Sequence, residues 1–220
     1  MVVGIIAEGH SDRAVIINII AGITGLDDSD FIALMPQYKK DATDEAEDKG
    51  EIHGGWNAVR DECQTRVFIN DFFEIYDDYA LVIHFDTMEA SQYSIALPRE
   101  KNDEYCTIVR KLMINKITEW IGEDLKEKIV HAIAIEETEA WILTLRKEKN
   151  TWKSADPKKK LEYKLGKGLG KLKPDYESYF EYSTGFRVEQ KKIKSMKILP
   201  ENKSLSDFYE EVIEKIVPNV

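Results

Sequence analysis

Cysteine is scarce: Cys63 and Cys106 are the two in the chain, 43 positions apart, with no CxxC and no histidine at ligand spacing beside them. That excludes a thiolate zinc site and offers no disulfide framework, so a reducing cytoplasm is the expected compartment. Long apolar runs are missing as well, with no stretch of 18 residues able to cross a bilayer, and no membrane partner is expected. A basic leader is also missing. The chain enters an apolar pattern at Val2–Ala7 and meets an acid at Glu8, so a secreted protein is not expected. The stretch GKGLGK (Gly166–Lys171) lacks the spacing of a phosphate-binding loop and follows no strand; it reads as a loop or a frayed helix end. There is no internal repeat.

What is there is a globular composition: 43% apolar and 33% charged over 220 residues, enough for one domain with appendages or two small ones. The net charge of −10 argues against a polyanionic partner when taken as a sum, but the charge is unevenly placed. Arg146–Lys203 holds 17 Lys and Arg against 8 Asp and Glu, whereas the other 162 residues hold 14 against 33. An acidic body with a basic segment suits a protein that holds cations in one place and phosphates in another. A solvated helical surface is the plainer alternative for the lysines.

Periodicity orders the chain. Val2–Ala7 reads as a buried strand, and Ser11-Asp12 open a helix that Gly25 stops. Phe31–Met35 reads as a second strand, followed by a long polar loop, Gln37–Asn57, expected to act as a lid or face a substrate. Ala58–Tyr76 is expected to be helical, Tyr79–Phe85 a strand, Asp103–Ile121 a helix, Ile129–Ile135 a strand and Glu137–Lys147 a helix. This alternation predicts an α/β fold with a mostly parallel four-stranded sheet flanked by helices. Residues 1–149 are expected to form that domain, and 150–220 a basic, mainly helical appendage.

In an open parallel sheet, ligands bind beyond the carboxyl ends of the strands. Glu8 follows the first strand, Asp86 and Glu89 the third, and Glu136, Glu137 and Glu139 the fourth. So many acids at one edge repel unless a cation or protons neutralise them. Oxygen donors of this kind suit Mg²⁺ or Mn²⁺. Glu136 and Glu137 are explained equally well as complements to a helix dipole. His10 is placed to donate to phosphate or shuttle a proton, or else is a solvated loop residue. His84 shares a strand face with Asp86, and Ser11 and Asp12 read as capping residues. Trp56 packs in the core or stacks on a base, and Trp141 reads as core.

Three blocks carry a resemblance: GIIAEGHSDRAVI (Gly4–Ile16), LVIHFDTMEAS (Leu81–Ser91) and HAIAIEETEAWILTL (His131–Leu145). The first two resemble the glutamate motif and the Asp-x-Asp motif of the Toprim domain shared by topoisomerases, primases and OLD-type nucleases. Together with the third, DPKKKL (Asp156–Leu161) and a Ser-x-x-x-Phe/Tyr helix at Ser204–Tyr209, they are similar to small stand-alone, RloB-like Toprim proteins linked to restriction and phage defence. The resemblance implies a Toprim-like, Rossmann-like fold and a divalent-metal-dependent nuclease acting on DNA or RNA. It places Glu8 as general acid/base or metal ligand, Asp86 as metal ligand and Glu139 as the acid of the third block. The second aspartate of Asp-x-Asp falls on Met88, a poor ligand for a hard cation, with Glu89 one residue along as a substitute oxygen. Under this reading Lys158, Lys159, Lys160, Lys164, Lys167, Lys171, Arg187, Lys191 and Lys192 would hold the nucleic acid, with Trp56 available to a base. The alternatives are a weakened Toprim scaffold that binds nucleic acid or a partner ATPase without cutting, and a non-nuclease phosphotransfer enzyme or an acidic α/β regulator whose lysines are surface.

Overall fold

A computed structural model describes residues 1–36, 54–102, 104–166, 172–187 and 199–219. Four strands, β1 (Val2–Ile6), β2 (Phe31–Met35), β3 (Tyr79–Asp86) and β4 (Ile129–Ala134), form one all-parallel sheet in the order β2-β1-β3-β4. The helices are α1 (His10–Thr24), α2 (Gly55–Thr65), α3 (Val67–Ile75), α4 (Tyr105–Ile121), α5 (Glu139–Leu145), α6 (Pro157–Leu165), α7 (Tyr176–Ser183) and α8 (Lys203–Lys215). The chain leaves β1 towards β2 on one side and later returns to build β3 and β4 on the other, so the direction of winding reverses between β1 and β3. In a parallel sheet that reversal opens a crevice at the carboxyl ends of the two strands.

Strand alternation sorts the core into two layers. Val3, Ile5, Ala80, Val82, Val130 and Ala132 pack with Ile16, Ile19 and Ile20 of α1 and with Tyr179, Leu205, Phe208 and Val212 of the last two helices. Ile6, Leu81, Ile83, Phe85 and Ile133 pack on the other face with Trp56, Ile69, Phe72, Val109 and Met113. Because a parallel sheet must be covered on both sides, the residues beyond 150 are needed to close the first face. Tyr179, Leu205, Phe208 and Val212 thus belong to the core of that face. Trp141 stacks on Phe208 with centroids 5.4 Å apart, and its indole N–H donates to Ser204 Oγ over 2.8 Å. The Asn18 amide donates to Phe180 O over 2.8 Å and to Ser183 Oγ over 2.7 Å.

The helix expected over Ala58–Tyr76 is two helices. Arg66 between them adopts φ 58°, its N–H closing α2 on Glu62 O over 2.7 Å. The Glu62 carboxylate accepts the N–H of Ile69 over 3.0 Å and so caps the start of α3, while Arg66 pairs with Asp124 through two hydrogen bonds of 2.8 and 2.9 Å. Gly25 ends α1 as expected, at φ 80°. The 37–57 loop lies mostly outside the described residues, which resume at Gly54; Gly55 N–H donates to Glu8 O over 2.7 Å.

Gly22, inside α1, lies close against the Phe186 segment. A Cβ there would lie 1.9 Å from the carbonyl oxygen of Phe186. On propensity alone Gly→Ala in a helix gains up to about 1 kcal/mol. Here the obstacle is backbone, so Gly22→Ala is expected to destabilise by about 1–3 kcal/mol, seen as a lower denaturation midpoint in urea. An unchanged or higher midpoint would mean that α1 and the Phe186 segment do not pack this closely.

Candidate metal centre

The site forms at the reversal between β1 and β3. Asp86 is the last residue of β3, Glu8 lies two residues beyond β1, Asp12 sits in the first turn of α1, and Thr138 precedes α5 just beyond β4. Three adjacent parallel strands therefore deliver side chains to one edge. The Asp86 N–H donates to Glu8 Oε1 over 2.6 Å, which fixes the glutamate against the end of the neighbouring strand. The Thr138 hydroxyl donates to Asp12 Oδ1 over 2.8 Å, and Thr138 Oγ1 also lies 3.1 Å from both Asp86 Oδ1 and His84 Nε2. His84 Nε2 is 3.3 Å from Asp86 Oδ1. One donor atom from each of Asp12, His84 and Asp86 falls within a 4.8 Å span. Donors bound to one Mg²⁺ at about 2.1 Å lie up to about 4.2 Å apart, so a small side-chain adjustment brings all three to a single ion. Two carboxylates, an imidazole and a neighbouring hydroxyl form a donor set that could hold a divalent cation.

Burial makes the charges of this cluster expensive. It pushes Glu8 up to about 9, with the Asp86 carboxylate adding to the shift. Asp12 rises to about 6 and Glu139 to about 8, both from burial first and the charge of Asp86 second. For His84, burial works against the imidazolium, but the hydrogen bond to Asp86 and the charges of Asp12, Asp86 and Glu8 outweigh it and carry the ring up to about 9. Without a cation, the site holds protons in its place.

The other residues singled out in the sequence divide. Glu139 is buried and accepts a hydrogen bond from the Tyr179 hydroxyl of α7; it stands beside the cluster and is not one of its three donors. Glu137 accepts the Lys158 N–H over 3.3 Å, so α6 begins against the acidic edge. Glu136, at φ 67°, pairs with Lys101 over 2.5 Å. Glu89 is exposed, as is Met88 at 56%, and neither belongs to the cluster. His10 receives a hydrogen bond at Nδ1 from the Arg13 guanidinium over 3.0 Å. Arginine only donates, so Nε2 carries the ring hydrogen.

Trp56 is 1% exposed, stacked on Tyr93 at 4.3 Å, with its indole N–H on Asp86 O at 2.9 Å. It is a core buttress of the β3 end, with no free face for a base. Lys159 pairs with Asp156, Lys160 and Lys164 both pair with Glu148, and Arg187 pairs with Asp28. Lys167, Lys171, Lys191 and Lys192 lie outside the described residues.

Asp12, read in the sequence as a cap, is a member of the cluster; its spacing four residues after Glu8 on the first helical turn was the available signal. Thr138 and Tyr179 had none, because their partners are distant in sequence. Comparison with known protein families, characterised proteins and solved structures gave no match. The fold and site thus define a Rossmann-like parallel α/β protein with a carboxylate–histidine cluster at its switch point.

Proposed function

We propose that the protein is a divalent-metal-dependent nuclease that hydrolyses phosphodiester bonds of DNA or RNA. The observation that carries this reading is the convergence of Glu8, Asp12, His84 and Asp86 at the carboxyl edge between β1 and β3. Asp12 and Asp86 would hold a Mg²⁺ or Mn²⁺ ion, which when bound offsets charge on nonbridging phosphate oxygens and lowers the pKa of a water. Thr138 orients the Asp12 carboxylate. Glu8, pushed up to about 9, keeps its proton at neutral pH and can give it to a leaving oxygen. His10 opens α1, where backbone amides favour phosphate. The Lys158 N–H on Glu137 sets the start of α6 against the acidic edge, which supports a role for Lys158, Lys159, Lys160 and Lys164 in holding the flanking backbone, the last three by exchanging surface ion pairs that are worth little. A role in phage defence follows from the resemblance of the sequence blocks.

A second reading, a scaffold that binds nucleic acid or a partner ATPase without cutting, is favoured by one observation: Met88, where the resemblance calls for a second aspartate, is exposed and offers no hard donor. Labelled DNA and RNA incubated with Mg²⁺, Mn²⁺ or EDTA separate the two. Wild type is expected to cut with metal, and Glu8→Gln and Asp86→Asn to lose about a hundredfold or more in rate. Binding without cleavage by wild type in every metal condition would establish the scaffold reading instead.

A further inference from the structure

We infer that His84 is an inner ligand of the cation and makes the site selective for Mn²⁺-class transition metals over Mg²⁺. The inference deepens the nuclease reading and rests on its placement of a cation at this edge. His84 is fully buried on β3, two residues before Asp86 and on the same strand face. Its Nε2 points into the cluster, 3.3 Å from Asp86 Oδ1 and 3.1 Å from Thr138 Oγ1. Its Nδ1 is also buried and has no hydrogen-bond partner. Among the described residues the ring meets polar groups through Nε2, the nitrogen that faces the carboxylates.

Donor count points the same way. Glu8 has one oxygen committed to the Asp86 N–H, position 88 carries a solvent-facing thioether, and Glu89 is outside the cluster. The ligand lacking at the second aspartate position is supplied from inside the sheet by an imidazole. Mg²⁺ takes oxygen and gives up its waters reluctantly, whereas Mn²⁺ and the later first-row ions accept imidazole nitrogen readily. With one nitrogen among few protein donors, the site discriminates by ligand type.

The test uses the full-length, metal-stripped protein. Mn²⁺ is titrated by electron paramagnetic resonance with Mg²⁺ as competitor, and the bound ion is examined for ¹⁴N modulation by electron spin echo. Mn²⁺ is expected to bind about tenfold or more tightly than Mg²⁺ and to carry the signature of one imidazole. His84→Gln, checked for folding by circular dichroism, is expected to lose the nitrogen signal and most of the preference, while His10→Gln keeps both. The wild-type spectrum needs no variant, so a His84→Gln protein that fails to fold leaves the inference open to refutation. Mn²⁺ bound through oxygen alone, or a nitrogen signal that vanishes in His10→Gln, overturns the role of His84 and leaves the nuclease reading standing. Failure of wild type to bind either ion overturns both.

Discussion

In the absence of divalent cations the melting temperature should fall steadily as pH is raised from about 6 to 9. Glu8 and Glu139 are carried up from 4.5 to about 9 and about 8, Asp12 from 3.8 to about 6, and His84 from 6.5 to about 9. Every one of these groups binds its proton more tightly in the folded than in the unfolded chain. The unfolded state therefore releases protons first, and stability is lost as pH climbs through each window. For His84 the contribution is whole below pH 6.5 and gone above about 9; for Glu8 the loss begins near pH 4.5 and runs to about 9. Each group that stays protonated in the fold but not in the unfolded chain costs up to about 1.4 kcal/mol per pH unit. A fall of about 5 °C or more between pH 6 and 9 is expected for a chain of this size. Mn²⁺ should reverse it, with a larger gain at pH 8 than at pH 6, because the ion must displace the protons held on Asp12 and His84 to bind. Differential scanning fluorimetry across pH with EDTA or Mn²⁺ reads both effects. A melting temperature flat in pH, or a metal gain that shrinks as pH rises, would contradict the proton-for-cation exchange.

Glu211→Ala should be among the more damaging single changes outside the site. This carboxylate of α8 is mostly buried and receives Arg110 of α4, His131 of β4 at 2.9 Å and Lys215 of its own helix at 2.9 Å. Burial alone would raise it, but the hydrogen bond from His131 and the charges of His131 and Arg110 prevail and bring it down to about 2. These groups line a cavity of about 530 Å³ between α4 and α8, apart from the carboxyl edge where the cluster lies. Removing the shared anion leaves the nearly buried Arg110 without its counter-charge and His131 Nδ1 without its hydrogen-bond partner, a loss of about 3–5 kcal/mol. The sign with pH is opposite to that of the metal centre: the contribution is present above about pH 4.5 and disappears as pH falls towards 2. Urea denaturation of Glu211→Ala and Glu211→Gln at pH 7 measures the effect, with the amide expected to recover part of it. A loss below about 1 kcal/mol for Glu211→Ala would mean that α8 is held by its apolar face alone.

The strands and their parallel arrangement were legible in the sequence because each is a short, branched, apolar run bounded by acids, glycine or proline. β2 at Phe31–Met35 was read with its observed bounds, and β1, β3 and β4 to within a residue. Local signals also gave the stop of α1 at Gly25. They could not show the break at Arg66, which depends on Glu62 reaching the amide of Ile69 and on Asp124 pairing from another segment. They missed the role of the last third for a related reason. Its lysines dominate the composition, while the few apolar residues that matter, Tyr179, Leu205, Phe208 and Val212, are spread along helices whose partners on α1, β3 and β4 lie far back in the chain.

The candidate site divides in the same way. That Glu8 and Asp86 share one edge follows from sequence, since both end apolar strands running in one direction. That His84 faces the same way as Asp86 follows from strand alternation; that Asp12 joins them and that Thr138 stands between all three is decided by the strand order β2-β1-β3-β4 and the pitch of α1. Sequence determines which residues end a strand. Only the tertiary structure decides which strand ends are neighbours, because hydrogen-bonded pairing within a sheet carries no fixed relation to order along the chain.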